Sequence, residues 1–131
     1  MIWTESKTKF ERSNAEAVCR IIYTDTENGR KTFSFSFSNA AVDKCFGKSD
    51  HARFGYDPAT PSRLYFTKAE KGYKLNRPRT TQARWYVRPA SLYSLVAAQG
   101  LYDPEQFDGK YMVEYDSAQD AFFVDSMKRV V

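Results

Sequence analysis

Phe33-Ser34-Phe35-Ser36-Phe37-Ser38 alternates aromatic and hydroxyl side chains at period two, the pattern of a strand that buries one face. Upstream, residues 17–26 hold Val18, Ile21, Ile22 and Tyr23, and Glu27-Asn28-Gly29-Arg30 separates the two runs. Asn-Gly accepts the positive φ angles of tight hairpin turns, so residues 17–38 are predicted to form a β-hairpin. Residues 1–16 are polar apart from isolated Ile2, Trp3, Phe10 and alanines, and read as an edge strand or a loose arm. After Ser38 the period changes. Asn39 is a suitable helix N-cap, and a short helix over 40–46 ends at Gly47. A strand is predicted over 51–56 and another over 63–67. Asp57-Pro58-Ala59-Thr60-Pro61-Ser62 connects them, because neither proline can donate to a sheet ladder.

The second half repeats this order. A strand is predicted over 84–88, and a helix over 89–98 with Leu92, Leu95 and Val96 on one face, stopped by Gln99-Gly100. A loop covers 101–109, and strands over 110–115 and 121–125 flank a turn. At an offset of 50, Phe37 falls on Val87, Val42 on Leu92 and Cys45-Phe46 on Leu95-Val96. Tyr56-Asp57 falls on Tyr115-Asp116, and Leu64-Tyr65-Phe66 on Phe122-Phe123-Val124, after one residue is dropped in the turn. This is the signature of a duplicated strand–helix–strand–strand unit. One such unit cannot cover its own apolar face, whereas two related by an approximate twofold axis can interleave strands and close a barrel. The fold expected is therefore mainly β: a small closed or half-closed barrel with two short helices. It forms one domain divided into an arm (1–16), a hairpin plus first repeat (17–67), a connector (68–83) and a second repeat (84–131).

Composition narrows the function. A chain of 131 residues builds one domain with its own core. Two cysteines and one histidine supply neither a disulfide framework nor a four-ligand zinc site. No apolar run approaches the ~20 residues of a membrane helix, and the first residues lack the basic-then-apolar order of a secretory signal, so a cytoplasmic protein is expected. No phosphate-cradling glycine loop, nucleophile elbow or histidine-rich motif is present, so neither catalysis nor a cofactor or metal is expected. Cys45 beside Phe46 reads as a buried thiol, not the partner of His51, which reads as a surface residue. Asp57, Asp103 and Asp116 read as turn caps, and Asp120 and Asp125 as exterior positions.

Charge adds a direction. Between Lys68 and Arg88 stand seven cations, Lys68, Lys71, Lys74, Arg77, Arg79, Arg84 and Arg88, against Glu70 alone, in a chain whose net charge is +4. Charge so concentrated is more than a soluble surface requires, and it reads as a nucleic-acid contact, as a solvated flexible linker about Asn76-Arg77-Pro78-Arg79-Thr80-Thr81, or as a contact for an acidic protein. Tyr73, Trp85 and Tyr86 lie among these cations, and aromatics so placed stack on bases or pack behind phosphate contacts. Five such contacts would give a salt slope of roughly −4.5, a loss of about 500-fold in affinity between 50 and 200 mM salt.

Val87-Arg88-Pro89-Ala90-Ser91-Leu92, then Leu95 and Gly100, resembles the opening of AbrB/SpoVT-like proteins, and residues 110–125 resemble their closing hairpin. Residues 35–67 are similar to a degenerate copy without the proline. Ala83-Arg84 stands where the family has Gly-Arg, and the hairpin over 17–38 has no place in its minimal unit. The resemblance implies a swapped-hairpin or cradle-loop barrel, often a DNA-binding transcription factor or antitoxin. The function expected is a non-enzymatic nucleic-acid-binding or regulatory protein of phage or bacterial type, monomeric or homodimeric, acting on duplex DNA. Lys71, Lys74, Arg77, Arg79, Arg84 and Arg88 would meet phosphates, with Trp85 or Tyr86 stacking. The alternative is a small interaction or assembly module that binds a protein partner through aromatic surface and edge strands.

Overall fold

The computed structural model describes residues 16–76 and 85–130. The arm over 1–15 and the heart of the basic connector, 77–84, lie outside the described residues.

Strand β1 (Val18–Asp25) and strand β2 (Lys31–Phe37) pair antiparallel, from Cys19 opposite Phe37 to Asp25 opposite Lys31. The predicted hairpin is present, with a three-residue loop. The Gly29 N–H donates to the Thr26 carbonyl at 2.8 Å, and the Thr26 N–H donates to the Arg30 carbonyl at 3.0 Å. Within the turn Gly29 alone takes a positive φ, 75°, so the Asn-Gly pair closes a longer loop than the two-residue turn in which both residues are left-handed.

Helix α1 (Asn39–Cys45) follows without a break. Its cap is Ser38, one residue before the expected Asn39. Ser38 is extended, and its hydroxyl oxygen accepts from the Ala41 N–H at 3.3 Å and the Val18 N–H at 3.0 Å while its proton goes to the Glu16 carbonyl at 2.8 Å. One hydroxyl thus ties the helix start to the first residue of β1. The Asn39 side chain serves elsewhere, accepting from the Trp85 indole N–H at 3.1 Å.

Strands β3 (His51–Gly55) and β4 (Arg63–Lys68) form the second hairpin, followed by the short β5 (Tyr73–Lys74) and β6 (Trp85–Val87). Helix α2 spans Leu92–Gln99 and starts three residues later than its sequence pattern predicts. Pro89 to Ser91 form a turn instead: the Leu92 N–H donates to the Pro89 carbonyl, and the Ser91 N–H is taken by the Tyr73 hydroxyl at 3.2 Å. Gly100, with φ 62°, ends the helix in the left-handed conformation. The expected strand over 110–115 is divided into β7 (Gly109–Met112) and β8 (Glu114–Asp116), and β9 (Ala121–Asp125) completes the set. The division falls at Val113, whose N–H donates to the Ala17 carbonyl. Tyr111 and Val113 both remain buried, so the chain keeps its period-two alternation while changing partners.

The architecture is mainly β, with two antiparallel sheets and two helices. The four-stranded sheet runs β6-β2-β1-β7 and the five-stranded sheet β5-β3-β4-β9-β8. The chain over 109–116 serves both sheets, and Asn76, just after β5, bridges to Tyr86 in β6. One core joins the layers. Ile21, Phe33, Phe35, Phe37, Val87 and Tyr111 from the smaller sheet meet Ala52, Leu64, Phe66 and Val124 from the larger. Ring centroids lie 4.8 Å apart for Phe35–Phe54 and 5.2 Å for Phe37–Phe66 and Phe37–Phe46, the last two edge-on, the arrangement ring quadrupoles favour.

Replacing Ser38 by Ala orphans two backbone N–H groups. Urea unfolding is expected to show a loss of about 1–2 kcal/mol with an unchanged m-value, whereas Ser38→Thr retains most of the stability.

Candidate nucleic-acid interface

Because Phe33, Phe35 and Phe37 point into the core, Thr32, Ser34 and Ser36 point outward, and the register extends this alternation across the sheet. Tyr86 lies opposite Ser36, Ser36 opposite Arg20, and Arg20 opposite Lys110. One row therefore crosses all four strands, roughly 14 Å at the usual strand spacing. Beside it Ser34 faces Ile22, and Thr32 faces Thr24. Arg88 joins from the end of β6, its Nε donating to the Ser34 hydroxyl at 3.2 Å. Tyr86 is 49% exposed, and Ile22 and Met112, on the same face, are each 43% exposed.

No outward position on these four strands holds an acidic residue. Arg20, Arg30, Arg88 and Lys110 are exposed and form no ion pair among the described residues. At the hairpin end, Thr24, Thr26, Thr32 and Ser34 line a groove of about 410 Å³ with Arg30 and Arg88. Hydroxyl donors between unpaired guanidinium groups suit an anion.

The sequence-predicted site is divided by this geometry. Tyr86 and Arg88 share the outward face of the four-stranded sheet. Lys74 pairs with His51 at the edge of the other sheet, two residues before Asn76, which faces Tyr86, and Lys71 sits in the turn before it, so these lysines lie beyond the β6 end of the row. Trp85 is half-buried, opposite Phe37 and packed on the core, with its indole N–H engaged by Asn39; of the two expected stacking residues, Tyr86 has the free ring face. Arg77, Arg79 and Arg84 lie outside the described residues. Arg20, Arg30 and Lys110 were not predicted. Arg20 lies in phase with Ile22 and Thr24, a signal readable in the sequence, but its juxtaposition with Lys110 depends on a pairing between strands ninety residues apart.

The other titratable groups have structural roles. Cys45 is 3% exposed, and burial pushes its thiol up to about 12. His51 Nδ1 meets Asp50 Oδ1 at 2.7 Å, a hydrogen bond that holds the Asp50 carboxyl below its usual range. Asp57, Asp103 and Asp116 each accept from the N–H two residues on, at 2.9–3.0 Å, the turn caps that the sequence predicts. Asp125 corrects the sequence reading: it is buried, not exterior. It accepts from the Ser62 hydroxyl at 2.9 Å, the Met127 N–H at 3.0 Å and Arg63 Nε at 3.5 Å. Pairing β9 with β4 brings Arg63 opposite Asp125, and the Arg63 guanidinium lies 4.2 Å from the Phe123 ring centroid. The carboxylate is fully used by its neighbours, which favours a clasp over a catalytic acid.

No helix among the described residues is long and apolar enough to cross a membrane. Compared with family models, curated proteins and solved structures, the chain has no significant match.

Asp125→Asn is expected to cost about 1.5–3 kcal/mol in urea unfolding, because three donors face a neutral acceptor in place of a charged one. Cys45 gives a pH signature. Its folded pKa lies above the ordinary 9.0, so its stabilising contribution is complete below pH 9 and is lost as pH rises toward about 12. Cys45→Ala or Cys45→Ser should flatten the fall of stability above pH 9. A maleimide should leave both buried cysteines of the native protein unlabelled at pH 8 and modify them in urea.

Proposed function

We propose that this chain is a non-enzymatic nucleic-acid-binding protein whose contact surface is the outward face of the four-stranded sheet. The observation that carries this reading is the row Tyr86–Ser36–Arg20–Lys110, flanked by Arg30 and Arg88, without an acidic residue among its outward positions. Cations without carboxylate partners keep their field for an external anion, and a ladder of hydroxyls adds short-range donors to phosphate oxygens. In sequence, the basic segment over 77–84 immediately precedes β6. A regulatory role of phage or bacterial type is consistent with such a surface.

The architecture proposed beneath this surface is a duplicated half-barrel. Three observations support it. Strands β2 and β6 pair about Ser36 and Tyr86, which are separated by the same offset of 50 that aligns the repeats. Strands β4 and β9 pair about Tyr65 and Phe123, matching the second alignment. Asp57 and Asp116, equivalent in the repeats, cap their turns in the same way. The pairings also follow a ring, since Asn76 links β5 to β6 at one side and residues 109–116 link the sheets at the other. This keeps the swapped-hairpin or cradle-loop barrel of AbrB/SpoVT-like proteins as the proposed relationship.

Fluorescence anisotropy on labelled DNA over a salt series tests the function. With Arg20, Arg30, Arg88 and Lys110 on phosphates of a duplex, affinity should fall roughly 150-fold between 50 and 200 mM salt. The triple variant Arg20→Glu, Arg88→Glu, Lys110→Glu should lose binding while its circular dichroism is unchanged, and Lys71→Glu with Lys74→Glu, beyond the end of the row, should weaken it less. Absence of binding to DNA and RNA at 50 mM salt would overturn the reading in favour of a protein partner.

A further inference from the structure

Resting on that reading, we infer that the nucleic acid this face takes is single-stranded, with a base stacked on Tyr86 and the adjoining phosphate at Arg88 and the hydroxyl groove. Reading duplex DNA in the major groove requires an element that protrudes into it, a helix or a two-stranded ribbon. The outward face is instead a platform of short side chains, Ser34, Ser36, Thr24 and Thr32, from which one aromatic ring and two aliphatic groups stand exposed among cations. Apolar surface of this kind gains nothing from a phosphate backbone, but it matches the faces of unpaired bases.

The spacing matches a nucleotide. Tyr86 in β6 and Arg88 just past its end are two residues apart, roughly 6.6 Å in extended chain, and Arg88 is held on the same face by Ser34. A base lying on the ring therefore brings its own phosphate within reach of the guanidinium and of the groove that Arg30 closes. The Tyr86 ring makes no aromatic contact or side-chain hydrogen bond among the described residues, so nothing there competes with a base for its face. Its backbone is held on both sides, by Ser36 and by Asn76, which fixes the ring's mount. Ile22, opposite Ser34, and Met112, opposite Val18, stand on either side of the Arg20–Lys110 pair and offer separate apolar contacts to further bases.

The experiment compares anisotropy of one 20-nucleotide sequence as single-stranded DNA, single-stranded RNA and blunt duplex at 100 mM salt, with wild-type protein, Tyr86→Ala, Tyr86→Phe and Arg88→Ala. Single strands should bind at least tenfold tighter than the duplex. Tyr86→Ala should lose about tenfold on single strands and far less on the duplex, and Tyr86→Phe should restore single-strand binding. Arg88→Ala should reduce the magnitude of the single-strand salt slope by about 0.7. Equal or tighter duplex binding, or an Ala variant that is folded by circular dichroism yet binds single strands normally, overturns the inference and leaves nucleic-acid binding standing. Absence of binding to any of the three overturns both.

Discussion

The alternation of β2 is the constraint from which the rest of the structure follows. Phe33, Phe35 and Phe37 are fully buried, and they join the sheets through Phe46, Phe54, Phe66 and Phe107. Truncating a core phenylalanine to alanine costs about 3–5 kcal/mol, a large part of the stability of a domain this size. A strand held in that register has no freedom on its other side, because a slip by one residue would exchange phenylalanines for serines in the core. The apolar demand of the interior thus fixes which polar groups stand outside, and in what order they meet Arg20 and Tyr86.

The same reasoning explains why the charged face is an assembly of distant segments. Arg20 comes from β1, Arg30 from the hairpin turn, Arg88 from the end of β6 and Lys110 from β7. Arg20 and Arg30 share the first hairpin, but Arg88 and Lys110 are brought to them by strand pairing, made by backbone groups that are indifferent to side-chain charge. The ion pairs Arg63–Asp125 and Arg63–Asp116 occupy the opposite sheet, where opposite charges are brought together by the β4–β9 register and the turn after β8. The five-stranded sheet also carries Arg53, Lys68 and Lys74 outside these ion pairs, but only on the four-stranded sheet do the outward cations stand with no acidic residue among the outward strand positions.

Local pattern made the hairpin over 17–38, both helices, the β3–β4 pair and the aspartate turn caps legible in the sequence, because each depends on residues within a few positions of one another. What escaped was set by distance. Val113 divides a continuous apolar alternation only because its N–H meets Ala17, nearly a hundred residues away. Asp125 looks like an exterior carboxylate until Ser62 and Arg63 arrive from β4. The candidate site shows the same limit. Tyr86 and Arg88 were visible as a basic–aromatic neighbourhood, Lys74 adjoins it through the Asn76–Tyr86 bridge, and Lys110 entered it only through the sheet.

The most direct measurement is a two-dimensional amide NMR titration of isotopically labelled protein with a short oligonucleotide. Shifts confined to Arg20, Ile22, Ser34, Ser36, Tyr86, Arg88 and Lys110, together with residues 77–84, are the predicted result. Shifts centred on the outer surface of the five-stranded sheet, around His51, Arg63 and Lys74, with β1 and β2 unmoved, would contradict the account.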